Sequence, residues 1–264
     1  MVGIYNTQFK ITLLEFLQYR AAMVIWMIDL VLEPLILLSV WSSVARSQGG
    51  MVEGYAVQDF AAYYLALMVT LHFTEDWHLW DFDWYIRQGE MSQHLIRPFH
   101  PVHRHLVESA VYKYLMLLVI VPVVIVLALL FQPAFHITLA NLLLYIPALL
   151  LGALLSFFAG YVVGMTAFWT ARVNALVQMY FVAMTFFSGQ LAPLELMPPF
   201  WRFLADLLPF RWINAHPTQL LLGRLSANEV IVGFAAQVFW IVLLIAVFKV
   251  LWRLGLRRYG AVGG

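Results

Sequence analysis

The chain has 264 residues, 63% of them hydrophobic and 11% charged, with a formal net charge of +1 and no cysteine. Soluble domains average about 45–50% apolar and about 25% charged residues, so the composition describes an integral membrane protein. It offers no clustered basic surface for a nucleic acid, and it excludes disulfides and thiolate metal sites.

Residues 4–19 place Tyr5, Phe9, Leu13, Phe16 and Leu17 on one helical stripe opposite Gln8, Lys10, Glu15 and Gln18. That pattern predicts an amphipathic helix at the membrane interface, over residues 1–20. The N-terminus does not read as a cleaved signal, because its apolar run contains Asp29 and Glu33 and lacks an Ala-x-Ala-like site. The first span is expected at 21–45, with Pro34 kinking it. Asp29 and Glu33 lie four residues apart on one face of that span. Intramembrane carboxylates suggest a proton relay or a substrate contact, while Arg20 or Arg172 would neutralise them in a purely structural role. A glycine-bearing loop containing Gly49, Gly50 and Gly54 separates it from a second span at 59–80.

The second span becomes polar at His72, Glu75, Asp76 and His78, followed by Asp81 and Asp83. Histidines and carboxylates are suitable metal ligands. However, His78 lies off the helical stripe that His72, Glu75 and Asp76 share, so the group reads as a span entering water and no metal is expected. Residues 85–105, YIRQGEMSQHLIRPFHPVHRH, are too polar for lipid. Gly89 and Pro98 bracket a stretch predicted to form about two helical turns, on which Met91 and Leu95 share one face and Glu90 and His94 another.

Between Tyr114 and Ala171 there is no Lys, Arg, Asp or Glu, a run long enough for two spans, expected at 111–131 and 139–169. A fifth span is expected at 174–189. It carries Asn174 and Gln178 one turn apart, which either pack against neighbouring helices or line a pathway. Residues 190–228 contain Pro193, Pro198, Pro199, Pro209 and Pro217, too many prolines for a continuous span. An amphipathic stretch between Pro199 and Pro209 fits a short interfacial or re-entrant helix. The sixth span, 230–248, ends in Lys249, Arg253, Arg257 and Arg258. With both termini inside, eleven basic residues face the cytoplasm and four face outward, which satisfies the positive-inside rule for a plasma or inner membrane.

No GxxxxGK[ST] motif occurs, so the chain has no P-loop for ATP. The layout resembles the permease subunits of the ABC-2-type exporter family through the N-terminal helix, IRQGEMSQHLIRP, and SGQLAPLELMPPFWRFLADLLPF followed by HPTQLLLG. The resemblance covers nearly the whole chain. It implies an all-α permease of six transmembrane helices in one domain, with a cytoplasmic coupling region at 81–110 and an external re-entrant segment at 190–228. It further implies that Arg87, Gly89, Glu90, Met91, His94, Leu95, Arg97 and Pro98 serve the coupling helix. Gly189, Pro193, Glu195, Pro198 and Pro209 would shape the outer gate. The implied partners are two cytoplasmic ATPase subunits, which would hold the ATP and magnesium, and a second permease, identical or homologous. The cargo would be a drug, peptide, lipid or lipid-linked glycan. The rival expectation is a proton-coupled secondary transporter using Asp29, Glu33 or Glu75.

Overall fold

The computed structural model describes residues 2–97, 99–170 and 173–259; Pro98 and Arg172, and the side chains of Arg20, Asp29 and Asp83, lie outside the described residues. The first helix, α1 (Val2–Gln18), is followed by α2 (Arg20–Ser47), which continues through Pro34. A small hairpin of β1 (Met51–Val52) and β2 (Tyr55–Ala56) turns through Glu53 and Gly54, both with positive φ. Then come α3 (Val57–Thr74), α4 (His78–Arg87), α5 (Met91–Leu95) and α6 (Pro101–Phe131).

The second half holds α7 (Leu139–Gly164), extended by a 3₁₀ turn at Met165–Phe168, and α8 (Val173–Phe187). After a 3₁₀ turn at Leu194–Leu196, three short helices follow: α9 (Pro199–Leu207), α10 (Phe210–Ile213) and α11 (Ala215–Leu221). The chain then runs along α12 (Ala227–Arg258). The stretch expected as one segment at 59–80 is broken, because Glu75 is extended and the chain restarts as α4 at His78. The third long helix starts ten residues earlier than the span expected at 111–131. Pro101 needs no backbone donor in the first turn, and the His100 imidazole accepts from the Val102 N–H at 3.2 Å.

Among the described residues, three helices are long and apolar enough to cross a membrane: Pro101–Phe131, Leu139–Phe168 and Ala227–Arg258. Their roles differ. α6 and α12 expose much of their surface, with Leu118, Leu129, Phe239 and Val242 facing outward as lipid-facing residues do. α7 is far more covered, packing against α12, α3, α4 and α11. α3 is the most enclosed of the long helices, and Tyr63, Phe60 and Met68 on it have no exposed surface. With α2 against α3 and α1 along α6, the result is an all-α membrane fold centred on α3 and α7.

Hydrogen bonds hold the enclosed helices in register. Thr70 on α3 receives a hydrogen bond from Thr218 on α11 at 3.1 Å and lies 3.1 Å from the Tyr145 hydroxyl on α7. Gln237 on α12 donates to the carbonyls of Ala148 and Trp212, both at 2.9 Å, tying α12 to α7 and α10. Where water is scarce, an unmet polar group costs several kcal/mol, about the scale that makes such pairing decisive for helix placement. Gly152 allows this closeness: a Cβ there would lie 2.6 Å from the Ile213 carbonyl oxygen.

Candidate functional site

The polar island folds into a compact corner between α4 and α6. Gly89 takes φ +74°, a left-handed turn that glycine adopts without steric cost, and this turns the chain from α4 into α5. The helix is shorter than the two turns the sequence suggests, five residues in all. Ser92 secures its start by donating from Oγ to the Gly89 carbonyl at 2.7 Å, and the Ser92 N–H donates to the Tyr259 hydroxyl at 3.3 Å. The end of α12 is thereby linked to α5.

The expected pairing of Met91 with Leu95 on one apolar face is not what forms. Met91 is fully buried among Phe82, Val102, Phe157, Tyr161, Met165 and Phe168, whereas Leu95 is exposed. The inward face of the helix is shared instead by Met91 and His94, three residues apart, and Leu95 falls outside it. His94 also points inward, its ring centroid 4.3 Å from that of Tyr85. Burial and then the positive charges of Arg104 and Arg97 hold its imidazole below the usual histidine range. Met91 and His94 therefore anchor α5 to the protein instead of meeting a partner directly.

The outward surface is made by Arg87, Gln88, Gln93, Leu95, Ile96 and Arg97, with Gly89 and Glu90 at its half-buried edge. Ile96, absent from the residues the sequence singles out, is 85% exposed. Its signal in the sequence was an apolar residue one step beyond the helical stripe, next to Arg97. Pro98 lies outside the described residues.

At the other end of the bundle, the proline-rich segment is held by specific bonds. Gly189 ends α8 with φ +85°, and its carbonyl accepts from the Tyr63 hydroxyl at 2.7 Å. Leu191 accepts from both Tyr64 and Trp41 at 2.9 Å. Glu195 accepts from Tyr55 at 3.1 Å and Gln219 at 3.0 Å, while its carbonyl accepts from Arg202. Pro193 precedes the 3₁₀ turn, Pro198 precedes α9 and Pro209 precedes α10. The short helix expected between Pro199 and Pro209 is present as α9, exposing Phe200, Phe203 and Leu207. α10 and α11 are not separately legible in the sequence, and every residue of α11 is buried.

Between α2 and α8 lies a polar cavity of about 230 Å³, lined by Glu33, Thr74, Ser156, Tyr180, Thr185, Gln190 and Asn214 among others. Glu33 and Thr185 also line an adjoining, more open space of about 500 Å³ with Leu32, Ile36, Leu37 and Leu191. At the inner wall Thr74 donates to the Asn214 side-chain carbonyl at 2.6 Å, and the Asn214 amide donates to Ser188 at 3.2 Å. Asn174 and Gln178 stand exposed on α8 and line neither space. The legible signal for Thr74, Ser188 and Asn214 was their polarity inside apolar surroundings, which does not by itself say that they meet.

The histidine and carboxylate group near residue 75 is divided among separate partners. His72 meets the Lys113 carbonyl and His78 the Phe157 carbonyl, each at 3.0 Å. Asp76 receives Ser109 at 2.5 Å and Lys113 at 3.2 Å. Among the described residues, no three His, Asp or Glu side chains are grouped to hold a metal ion.

Residues 30–263 match the family described as ABC-2 family transporter protein. No curated protein matches the chain. The family match covers most of the sequence and agrees with the apolar helices: the chain belongs to the ABC-2 transporter family and is an ABC-type permease of the membrane.

Proposed function

Starting from membership of this family, we propose that the protein is the membrane-spanning subunit of an ATP-driven exporter. The observation that carries the reading is the exposed corner at Ile96, built on the buried anchors Met91 and His94. A partner pressing on Ile96, Leu95 and Arg97 moves a rigid turn whose inner side already touches α4, α6, α7 and the 3₁₀ turn at residues 165–168. Packed interiors transmit such displacements because they have few discrete arrangements.

In this reading α2, α3, α6, α7, α8 and α12 are the six spans, with both termini and the α4–α5 corner on the cytoplasmic side of a plasma or inner membrane. ATP and magnesium bind on two separate ATPase subunits, consistent with the absence of a P-loop in this chain. A second permease, identical or homologous, completes the pathway. Nucleotide-driven closure of the ATPases shifts the population between inward- and outward-facing states. The cavity beside Glu33 receives cargo, and the Gly189–Glu195 segment with α9–α11 forms the outer gate. Cargo classes that fit the family resemblance are drugs, peptides, lipids and lipid-linked glycans.

Glu33 also favours a second reading, proton-coupled transport, because its carboxylate borders both spaces between α2 and α8. The two are separated by transport assays in reconstituted vesicles. Export that requires ATP and persists with a protonophore supports the ATPase-driven reading; export that stops with the protonophore while ATP is maintained supports the second.

A further inference from the structure

α12 is longer than a membrane needs. Its 32 residues rise about 48 Å at 1.5 Å each, against roughly 30 Å of hydrocarbon. The excess lies toward the C-terminal end, where the apolar run gives way to Lys249, Arg253, Arg257 and Arg258. Lys249, Arg253 and Arg257 recur every four residues, cover about 12 Å along the axis and are all exposed. Among the described residues, none of the four basic side chains forms an ion pair.

The face they occupy says what meets them. Phe239, Val242, Ala246, Val250 and Leu254 are exposed on the same side of α12, whereas Gly233, Gln237, Ile241 and Gly255 on the opposite side are buried against the bundle. At 3.6 residues per turn, the three evenly spaced cations continue the line that Phe239, Val242 and Ala246 present to lipid. Val250 and Leu254, 56% and 48% exposed, stand between them. Positive charge interleaved with exposed apolar surface at the edge of the hydrocarbon fits a headgroup that carries negative charge above its own acyl chains. A soluble acidic protein can reach Arg257 and Arg258 from water, but it would have to enter lipid to meet Lys249 beside Val250.

We propose that this stripe binds the headgroups of anionic phospholipids. Arg253 and Arg257 hold phosphate oxygens through their planar donor forks, and Lys249 reaches the same layer from a deeper position by extending its apolar stem. Val250 and Leu254 receive the acyl chains. The contact reinforces the C-terminal end of α12, which is joined to α5 by the bond from the Ser92 N–H to the Tyr259 hydroxyl and packs Trp252 and Leu256 against the cluster that holds Met91. The inference does not depend on ATP-driven export.

The test is native mass spectrometry of the full chain released from a nonionic detergent, titrated with phosphatidylglycerol or phosphatidylcholine of identical acyl chains. The expected result is that the first phosphatidylglycerol binds at least about fivefold more tightly than phosphatidylcholine, the scale of a basic side chain at an anionic surface. In the double variant Arg253→Gln with Arg257→Gln, shown to be folded by its elution and unfolding temperature, that preference falls to about twofold or less; Arg253→Lys with Arg257→Lys retains most of it. Lys10→Gln with Arg46→Gln removes the same net charge elsewhere and keeps the preference. The proposal is overturned if the wild-type chain shows no preference, if Arg253→Gln with Arg257→Gln leaves it intact, or if Lys10→Gln with Arg46→Gln abolishes it equally. Loss of ATPase capture in Arg253→Gln with Arg257→Gln, with lipid preference unchanged, would assign the stripe to a protein partner and overturn it as well.

Discussion

Met91 and Ile96 stand five residues apart on the same short turn with opposite fates: Met91 has no exposed surface and Ile96 is 85% exposed. The first holds the turn to the bundle and the second leaves it. Met91→Ala opens a cavity in a packed cluster and is expected to cost about 2–5 kcal/mol of stability, read as a lowered unfolding temperature of the purified chain. Ile96→Ala removes no internal contact of that kind. It is expected to leave the unfolding temperature unchanged and to weaken capture of the ATPase partner by roughly tenfold, about 1.4 kcal/mol. Glu90→Lys and Arg97→Glu are expected to uncouple transport with normal membrane insertion.

The Thr74–Asn214–Ser188 chain joins α3 to the turn between α10 and α11 and to the end of α8. Asn214→Ala removes the donor to the buried Ser188 oxygen, at about 1–3 kcal/mol for a group left unsatisfied, while the Thr74 hydroxyl keeps its bond to the Thr70 carbonyl at 3.0 Å. Thr74→Val with Asn214→Leu removes both sides of the first bond. Because both changes remove the same bond, the double variant is expected to cost less than the two single losses summed, measured by thermal unfolding in a double-mutant cycle.

Gly189 combines a positive φ with close packing: a Cβ there would lie 2.5 Å from the Tyr63 hydroxyl. Gly189→Ala is expected to destabilise the outer segment by more than the ~1 kcal/mol typical of a lost hydrogen bond, since strain and steric conflict add to it. Tyr63→Phe relieves the conflict but loses the bond to the Gly189 carbonyl. Hydrogen exchange across residues 188–196 should show faster exchange in both variants, and more so in Gly189→Ala.

Much of this architecture was legible in the sequence, but unevenly. Long apolar runs and prolines outlined α2, α7, α8, α9 and α12, because a membrane demands about 20 apolar residues and proline interrupts them. The early start of α6 was hidden, since Arg104 and Glu108 look like loop residues until their i,i+4 ion pair at 2.6 Å is seen on the helix. The corner around α5 was legible in position and not in orientation. Periodicity alone could not show that Met91 and His94 turn inward while Ile96 turns out. Asn174 and Gln178 read as pathway candidates on spacing, yet the cavity-lining polar groups come from four separate helices and the loops joining others, a grouping that only tertiary packing creates.

His94 gives the corner a pH dependence. Its folded-state pKa lies below the ordinary 6.5 because the ring is buried on Tyr85 and faces Arg104 and Arg97, with Glu90 pulling the other way. Between the two values the unfolded chain binds more protons. Stability from this group is thus full above about 6.5 and declines as the pH falls toward the folded value. Hydrogen exchange of residues 91–96, corrected for intrinsic rate, is expected to be faster at acidic pH than at pH 7.5, and His94→Phe is expected to remove most of that difference.

Because the chain contains no cysteine, single thiols can be placed without background. Ile96→Cys, carrying a short bifunctional crosslinker in native membranes, tests the central claim that this corner meets a cytoplasmic ATPase. The account predicts a covalent product containing a P-loop protein from Ile96→Cys and none from Met91→Cys, whose side chain is buried. No P-loop protein in the Ile96→Cys product, while the variant still exports cargo, would contradict it.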